Sequence, residues 1–115
     1  MDIESFREYC LFFSGVTEEF PFDENTLVFK VMGKMFALCD VDDFESINLK
    51  CDPAKALELR EEYPGLVLPG YHMNKKHWNT VSMQHNLPDN LIKEWIKDSY
   101  DLVVAKLAKR DREKL

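Results

Sequence analysis

The fold is decided by the stretch Leu27-Val-Phe-Lys-Val-Met-Gly-Lys-Met-Phe-Ala-Leu-Cys39, which predicts an antiparallel β-hairpin. Apolar residues recur at every second position of its first half, the period of a strand with one buried face: Leu27, Phe29 and Val31. Gly33-Lys34 follows, and glycine at the first position of a two-residue loop is typical of a type II′ turn. A loop at these two residues places Phe29 opposite Leu38 and Lys30 opposite Ala37.

Helix signals lie on both sides of this hairpin. Asp2 is a good N-cap for a first helix. Asp52-Pro53 combines an N-cap with proline at the first helical position, and Pro88 opens a third helix. Further short strands are expected at residues 47–51, 66–68 and 78–83. This order predicts an α+β fold, a two-layer sandwich in which helices cover one face of an antiparallel β-sheet.

The length of 115 residues suits one domain, and neither a linker nor a repeat divides the chain. We expect a single domain over residues 1–109. Residues 110–115 are polar and predict a frayed C-terminal tail.

Composition indicates a cytoplasmic protein without membrane association. Met1-Asp-Ile-Glu4 opens acidic, unlike a signal peptide, and the apolar runs are far shorter than the about 20 residues of a membrane span. Cys10, Cys39 and Cys51 are odd in number and far apart in the sequence, so we expect three free thiols.

The net charge of −6 is unevenly distributed along the chain. Residues 1–64 carry 15 acidic and 6 basic side chains, a net of −9, whereas residues 65–115 carry 6 acidic and 9 basic side chains, a net of +3. A nucleic-acid-binding protein usually has a basic face. Only a local basic patch can supply one here.

The segment Pro69-Gly-Tyr-His-Met-Asn-Lys-Lys-His-Trp-Asn79 concentrates ammonium groups, imidazoles and flat rings, which hold phosphate and stack on bases. Lys34, at the hairpin tip, suits contact with a phosphate backbone. The candidate nucleic-acid-binding residues are Lys30, Lys34, Lys50, Tyr71, His72, Asn74, Lys75, Lys76, His77 and Trp78. The alternative is structural: the lysines are ordinary solvated residues and the Trp78 ring covers the sheet.

Catalytic, metal and cofactor sites have little support in the sequence. We find no nucleophile elbow, phosphate-binding glycine loop or metalloprotease motif, so we predict a protein that is not an enzyme and needs no cofactor. His72 and His77 are five residues apart, which predicts no zinc site. The carboxylates between Asp2 and Glu24 offer hard-cation ligands, but a solvated helix face explains them better.

The chain resembles the MmcQ/YjbR family of small bacterial proteins. Six segments carry the resemblance, over nearly all of residues 2–107: Leu27–Leu38, Asn48–Pro53, Leu57–Arg60, Pro69–Asn79, Leu87–Asp89 and Ser99–Leu107. The resemblance implies a YjbR-like α+β fold similar to frataxin (CyaY) and secretion-chaperone proteins. It also implies a DNA-binding role, inferred in the family from a double-wing shape. Ala108 departs from the proline common in members, which predicts a longer last helix.

Three functional hypotheses follow. The first is a non-enzymatic binding domain that contacts double-stranded DNA through its hairpin wings and the segment Tyr71–Trp78. The second is a protein–protein interaction adaptor that uses a sheet edge or the acidic helix face. The third is a small-ligand binder at the His72/His77 segment, with Asn74 and Asn79. Salt-dependent affinity separates the first from the other two.

Overall fold

The computed structural model describes residues 1–115 and contains four helices and six strands. In chain order these are α1 Ile3–Phe12, β1 Val16–Glu19, β2 Thr26–Val31, β3 Lys34–Asp40, β4 Ser46–Lys50, α2 Pro53–Glu62, β5 Val67–Pro69, β6 Trp78–Ser82, α3 Asp89–Ala105 and α4 Lys109–Arg112.

The strands form one antiparallel sheet in the order β1-β2-β3-β4-β6-β5. Apolar residues of α1, α2 and α3 share one core with alternate residues of the strands, so the helices lie against one face of the sheet. The predicted α+β two-layer fold is therefore confirmed.

The core between sheet and helices contains Leu27, Phe29 and Val31, as their alternation predicts. Phe29 is fully buried and meets the Phe6 ring of α1 edge-on, with 5.5 Å between the ring centroids. Burial of one such side chain contributes roughly 1.5–3 kcal/mol to the free energy of unfolding. The apolar face of the hairpin therefore favours packing of the helices on this side of the sheet.

The hairpin turn differs from the sequence prediction. Its central residues are Met32 and Gly33, with φ angles of 49° and 81°. Two central residues with positive φ characterise a type I′ turn, rather than the expected II′ turn. Phe29 consequently pairs with Ala37 instead of Leu38, and Lys30 pairs with Met35 instead of Ala37.

A β-bulge accommodates the extra residue, Phe36, which is fully buried in the core. Bulges leave part of the hydrogen-bond ladder unpaired. Here the buried Ser99 hydroxyl of α3 donates to the Phe36 carbonyl at 2.5 Å and accepts from the Lys50 N–H at 2.9 Å. One hydroxyl thus joins α3 to both β3 and β4.

The C-terminus also differs from the sequence prediction. Helix α3 ends at Ala105 rather than running past Ala108, because the Lys106 N–H turns back to the Val103 carbonyl and Leu107 is buried. Residues 109–112 form α4, and Leu115 packs against the core, where the Ser14 hydroxyl donates to its carbonyl at 3.1 Å. An apolar last residue explains why this tail is packed rather than frayed.

None of the helices combines the length and the apolar character that crossing a membrane requires.

Candidate nucleic-acid interface

Five lysines gather at the end of the sheet that holds the β2–β3 turn, and we call this region the basic end. Its members are Lys34, Lys50, Lys75, Lys76 and Lys106. Lys34 begins β3, and Lys50 ends β4 opposite Trp78. The Cys51 N–H donates to the His77 carbonyl at 2.8 Å, which ties the loop of Lys75 and Lys76 to the same end.

Three of these lysines line one surface cleft of about 400 Å³: Lys34, Lys50 and Lys106. Their mutual influence is visible in Lys50. Partial burial, and then the charges of Lys106 and Lys34, lower the pKa of the Lys50 ammonium group. Asp111 also lines the cleft, but its carboxylate lies 4.0 Å from the Lys114 ammonium. An anion in the cleft would relieve the repulsion among the lysines.

Ion pairing distinguishes the basic end from the other lysines except Lys93, whose ammonium makes no ion pair and lies 5.5 Å from the centroid of the Tyr9 ring. Five other lysines lie within ion-pair distance of a carboxylate: Lys30 with Glu19, Lys55 with Glu58, Lys97 with Asp101, Lys109 with Glu113 and Lys114 with Asp111. None of the five lysines of the basic end does so. Lys30, a predicted contact residue, is therefore already paired and lies outside this group.

The predicted contact Trp78 is a packing residue. Its side chain is 7% exposed and packs with Val28 and Leu38 on the sheet face opposite the helices, where Met35 and Met73 cover the cluster. Gly70 lies close beside Trp78, donating its N–H to the Trp78 carbonyl at 2.8 Å, and a Cβ there would lie 2.7 Å from the Trp78 Cβ. With only 7% of Trp78 exposed, the indole is unavailable for base stacking.

Arg60 of α2 holds the segment Pro69–Asn79 in place. Its Nε donates to the Asn79 Oδ1 at 2.7 Å, and its guanidinium also donates to the carbonyls of Lys75 and, at 3.2 Å, Trp78. Asn79 is buried, and its Nδ2 donates to the Ala56 carbonyl at 3.4 Å. These contacts fix the loop that presents Lys75 and Lys76.

Asn74 shapes the tip of the loop. Its Oδ1 accepts from the Lys76 N–H at 2.9 Å, and its carbonyl accepts from the N–H groups of His77 and Trp78. Such a side-chain-capped turn is a common role of asparagine. Asn74 therefore orients the two lysines.

Tyr71 and His72 remain accessible. Tyr71 is 69% exposed, its N–H is held by the Thr80 hydroxyl at 2.9 Å, and its ring lies 4.1 Å from the exposed His72 ring, centroid to centroid. His72 has a φ of 59°, a conformation that few non-glycine residues adopt. Both rings line a concavity on the open face together with Asp23 and Asp40, so these two predicted contact residues lie toward the acidic side of the sheet and away from the five lysines.

The structure does not bring the predicted small-ligand group together. Asn79 is bound by Arg60 on the helix side of the sheet, whereas His72 lines a concavity on the open face together with Phe22. Alternation along β6 separates the two faces, since Trp78 and Asn79 point in opposite directions. His72, Asn74, His77 and Asn79 therefore form no common pocket.

The opposite end of the sheet is acidic. The segments 20–29 and 40–46 contain six carboxylates and no basic residue: Asp23, Glu24, Asp40, Asp42, Asp43 and Glu45. The Val41 N–H donates to the Asn25 carbonyl at 2.9 Å, which joins the two segments. The molecule thus has opposite charges at the two ends of its sheet.

The carboxylates between Asp2 and Glu24 serve local structure. Asp2 caps α1 by accepting from the Ser5 N–H at 2.8 Å, Glu18 receives both bonds of the Arg7 guanidinium, and Glu19 pairs with Lys30. No three His, Cys, Asp or Glu side chains converge as a metal site requires.

The cysteines are free thiols, and their environment suppresses nucleophilicity. Burial, followed by the charge of Asp52, raises the pKa of Cys51 to about 11. Burial raises the pKa of Cys39 to about 12 and that of Cys10 still further. A reactive cysteine requires a lowered pKa, so none of the three is activated.

Sequence reasoning missed Lys106. The available signal is the excess of basic residues from Lys106 to Lys114, a stretch for which the sequence predicts only a longer last helix and a frayed tail. The end of α3 at Ala105 brings Lys106 to the cleft of Lys34 and Lys50.

Comparison with known proteins gives consistent results. The sequence model described as YjbR matches residues 11–102. The uncharacterized protein YbdF of Escherichia coli O157:H7 is 44% identical over 96 residues, which cover 83% of this chain and 78% of YbdF. The uncharacterized protein YjbR of Escherichia coli strain K12 is 31% identical over 116 residues, covering 100% of this chain and 98% of that protein. The crystal structure of Deinococcus radiodurans protein DR2400, with its DUF419 domain, has a TM-score of 0.90 at 41% identity, covering 97% of this chain and 86% of DR2400. The chain therefore belongs to the YjbR family.

Proposed function

We propose that this protein is a non-enzymatic binding domain whose basic end contacts the phosphate backbone of double-stranded DNA. The observation that carries the proposal is the group of five lysines without ion-pair partners at one end of the sheet. An unpaired ammonium group can contact a phosphate and release counterions from DNA without first breaking an ion pair within the protein. Each such lysine can therefore strengthen binding.

The geometry suits backbone contact more than sequence readout. Lysine ammonium groups are point charges that neutralise phosphates, and such contacts position a protein without reading base edges. Trp78 is packed, and the exposed Tyr71 and His72 rings lie beside Asp23 and Asp40, so neither ring accompanies the lysines for stacking on bases. The acidic end repels the duplex, so the charge separation orients the molecule with its lysines toward the DNA.

The non-enzymatic part of the proposal rests on the same side chains. The raised thiol pKa values leave no activated cysteine. The lowered pKa of Lys50 is caused by partial burial and then by the charges of Lys106 and Lys34. This arrangement favours anion binding over catalysis.

Paired charge variants test the proposal. Lys34→Ala with Lys106→Ala removes two ammonium groups from the cleft. Lys93→Ala with Lys97→Ala makes the same change in net charge on α3, where Lys97 pairs with Asp101 and Lys93 lies over the Tyr9 ring. We expect the first pair to flatten the logarithmic salt slope of duplex binding by about 1.8, at about 0.9 per lost contact. Equal changes in the two double variants would mean that only net charge matters, which contradicts the proposal.

A specific observation favours a second function, protein–protein interaction. β1 is an edge strand, and two exposed phenylalanines follow it closely, Phe20 at 50% and Phe22 at 64% exposure. An edge strand beside exposed aromatic side chains can accept a strand from a partner. The test compares the proteins captured by the wild-type protein with those captured by the double variant Phe20→Ser/Phe22→Ser. This function requires a protein that binds the wild type and does not bind the variant.

A further inference from the structure

A cavity of about 300 Å³ lies between the sheet and helices α2 and α3, away from the open face of the sheet. Its apolar wall is formed by Leu49, Leu59, Val81, Trp95 and Leu102. An apolar cavity of about 150 Å³ is large enough to hold benzene. The space here therefore suits a body of two fused rings.

One carboxylate at the rim lacks a partner. Asp98 of α3 lines the cavity and makes no ion pair, whereas the neighbouring Lys97 is held by Asp101 at 2.6 Å. Burial, and then the charges of Glu94 and Asp101, raise the pKa of Asp98. A cation beside Asp98 would reduce that repulsion and gain a charge-assisted hydrogen bond.

The other polar groups of the lining are engaged elsewhere. Asp52 caps α2, where it accepts from the N–H groups of Ala54 and Lys55. The Lys55 ammonium lies 4.0 Å from Glu58, and Asn79 is bound by Arg60. Lys50 also lines the lysine cleft at the basic end. Asp98 is thus the carboxylate of the lining that is left without a partner, and the unpaired Lys50 ammonium is turned also to the other lysines of the cleft.

We propose that this cavity binds a small amphiphilic amine, with a two-ring apolar body against Trp95 and the leucines and a protonated amine at Asp98. The site adjoins the proposed contact with DNA at Lys50, whereas the other four lysines of the basic end do not line it. An anionic molecule seated in the same orientation should bind more weakly, because its charge would lie at Asp98, near Asp52, and would lose the bond that the amine makes.

Cys51 supplies a reporter inside the cavity. It lines the wall and is half-buried, whereas Cys10 and Cys39 are buried elsewhere in the core. Modification of the folded protein by the neutral reagent methyl methanethiosulfonate, followed by intact mass, therefore reports access to Cys51. We choose tryptamine as the probe and indole-3-propionate as its anionic counterpart.

We expect tryptamine at ten times its Kd to slow modification of Cys51 by about elevenfold, as expected for a bound state that excludes the reagent. Indole-3-propionate should protect Cys51 less at the same concentration. Asp98→Asn should weaken tryptamine about tenfold, since a charge-assisted hydrogen bond is lost. Glu94→Gln, a matched control on the same helix, should change affinity by less than about threefold because screening weakens a charge outside the site.

The proposal fails if millimolar tryptamine leaves the rate unchanged, or if indole-3-propionate protects Cys51 equally. It also fails if Asp98→Asn and Glu94→Gln weaken tryptamine to the same degree. Circular dichroism of each variant verifies folding, and both substitutions are at exposed positions. Amide NMR shifts centred on residues 95–102 provide a second readout that does not depend on thiol chemistry.

Discussion

Arg60→Ala should selectively weaken the segment Pro69–Asn79. The substitution removes the bond to Asn79 Oδ1 at 2.7 Å and the bonds to the carbonyls of Lys75 and Trp78. Asn79 is 2% exposed, so its side-chain oxygen is left without a partner. Hydrogen bonds to charged groups contribute roughly 1.5–3 kcal/mol each. Since Arg60 is half-exposed, we expect the free energy of unfolding to fall by about 2–4 kcal/mol in total.

Urea unfolding measures this loss, and Arg7→Ala is the matched control. Arg7 also makes two guanidinium bonds, at 2.7 and 2.6 Å, but to the exposed Glu18 carboxylate. Exposed pairs contribute about 0–1 kcal/mol. The double variant Arg60→Ala/Asn79→Ala should lose about 1–2 kcal/mol less of its free energy of unfolding than the two single variants lose in sum. A loss no greater than that of Arg7→Ala would refute the assignment of Arg60 as the residue that holds the loop.

Three further predictions concern packing and thiol chemistry. Trp78→Ala should lower the free energy of unfolding by about 3–5 kcal/mol in urea titration, because the ring is 7% exposed; a loss below about 1 kcal/mol would contradict its packing role. Gly70→Ala should cost about 1–3 kcal/mol by the same measurement, since its Cβ would lie 2.7 Å from the Trp78 Cβ and 2.9 Å from its carbonyl oxygen; an unchanged midpoint would contradict it. Modification of Cys51 should accelerate about tenfold per pH unit up to its pKa of about 11, because the raised pKa keeps the thiol protonated below that pH; a rate that levels off near pH 9 would contradict this.

The sequence predicted those parts of the fold that depend on short-range periodicity. The alternation of Leu27, Phe29 and Val31 identified the buried face of β2, and Asp52-Pro53 marked the start of α2. The turn was misplaced by one residue because Met32 adopts a positive φ, which sequence preference disfavours for methionine. The Phe36 carbonyl at the bulge accepts from the Ser99 hydroxyl, 63 residues away in the sequence, so the local sequence gives no sign of this contact.

The candidate site was predictable in composition but not in arrangement. The sequence identified Lys34, Lys50 and the pair Lys75-Lys76, yet it could not show which lysines have a carboxylate within reach. Lys30 is among the predicted contact residues although it pairs with Glu19, because that ion pair joins strands β1 and β2 and the sequence alone does not show which residues of two strands meet. Lys106 was missed because its place in the cleft depends on where α3 ends.

The salt dependence of duplex DNA binding by the wild-type protein tests the central claim most directly. With five unpaired lysines at the basic end, the logarithm of the association constant should fall against the logarithm of salt concentration with a slope of up to about −4.5, at about 0.9 per phosphate contact. Fluorescence anisotropy with a labelled duplex between low and moderate salt provides the measurement. A steep negative slope is the predicted result, and a slope near zero or the absence of binding at low salt would contradict the account.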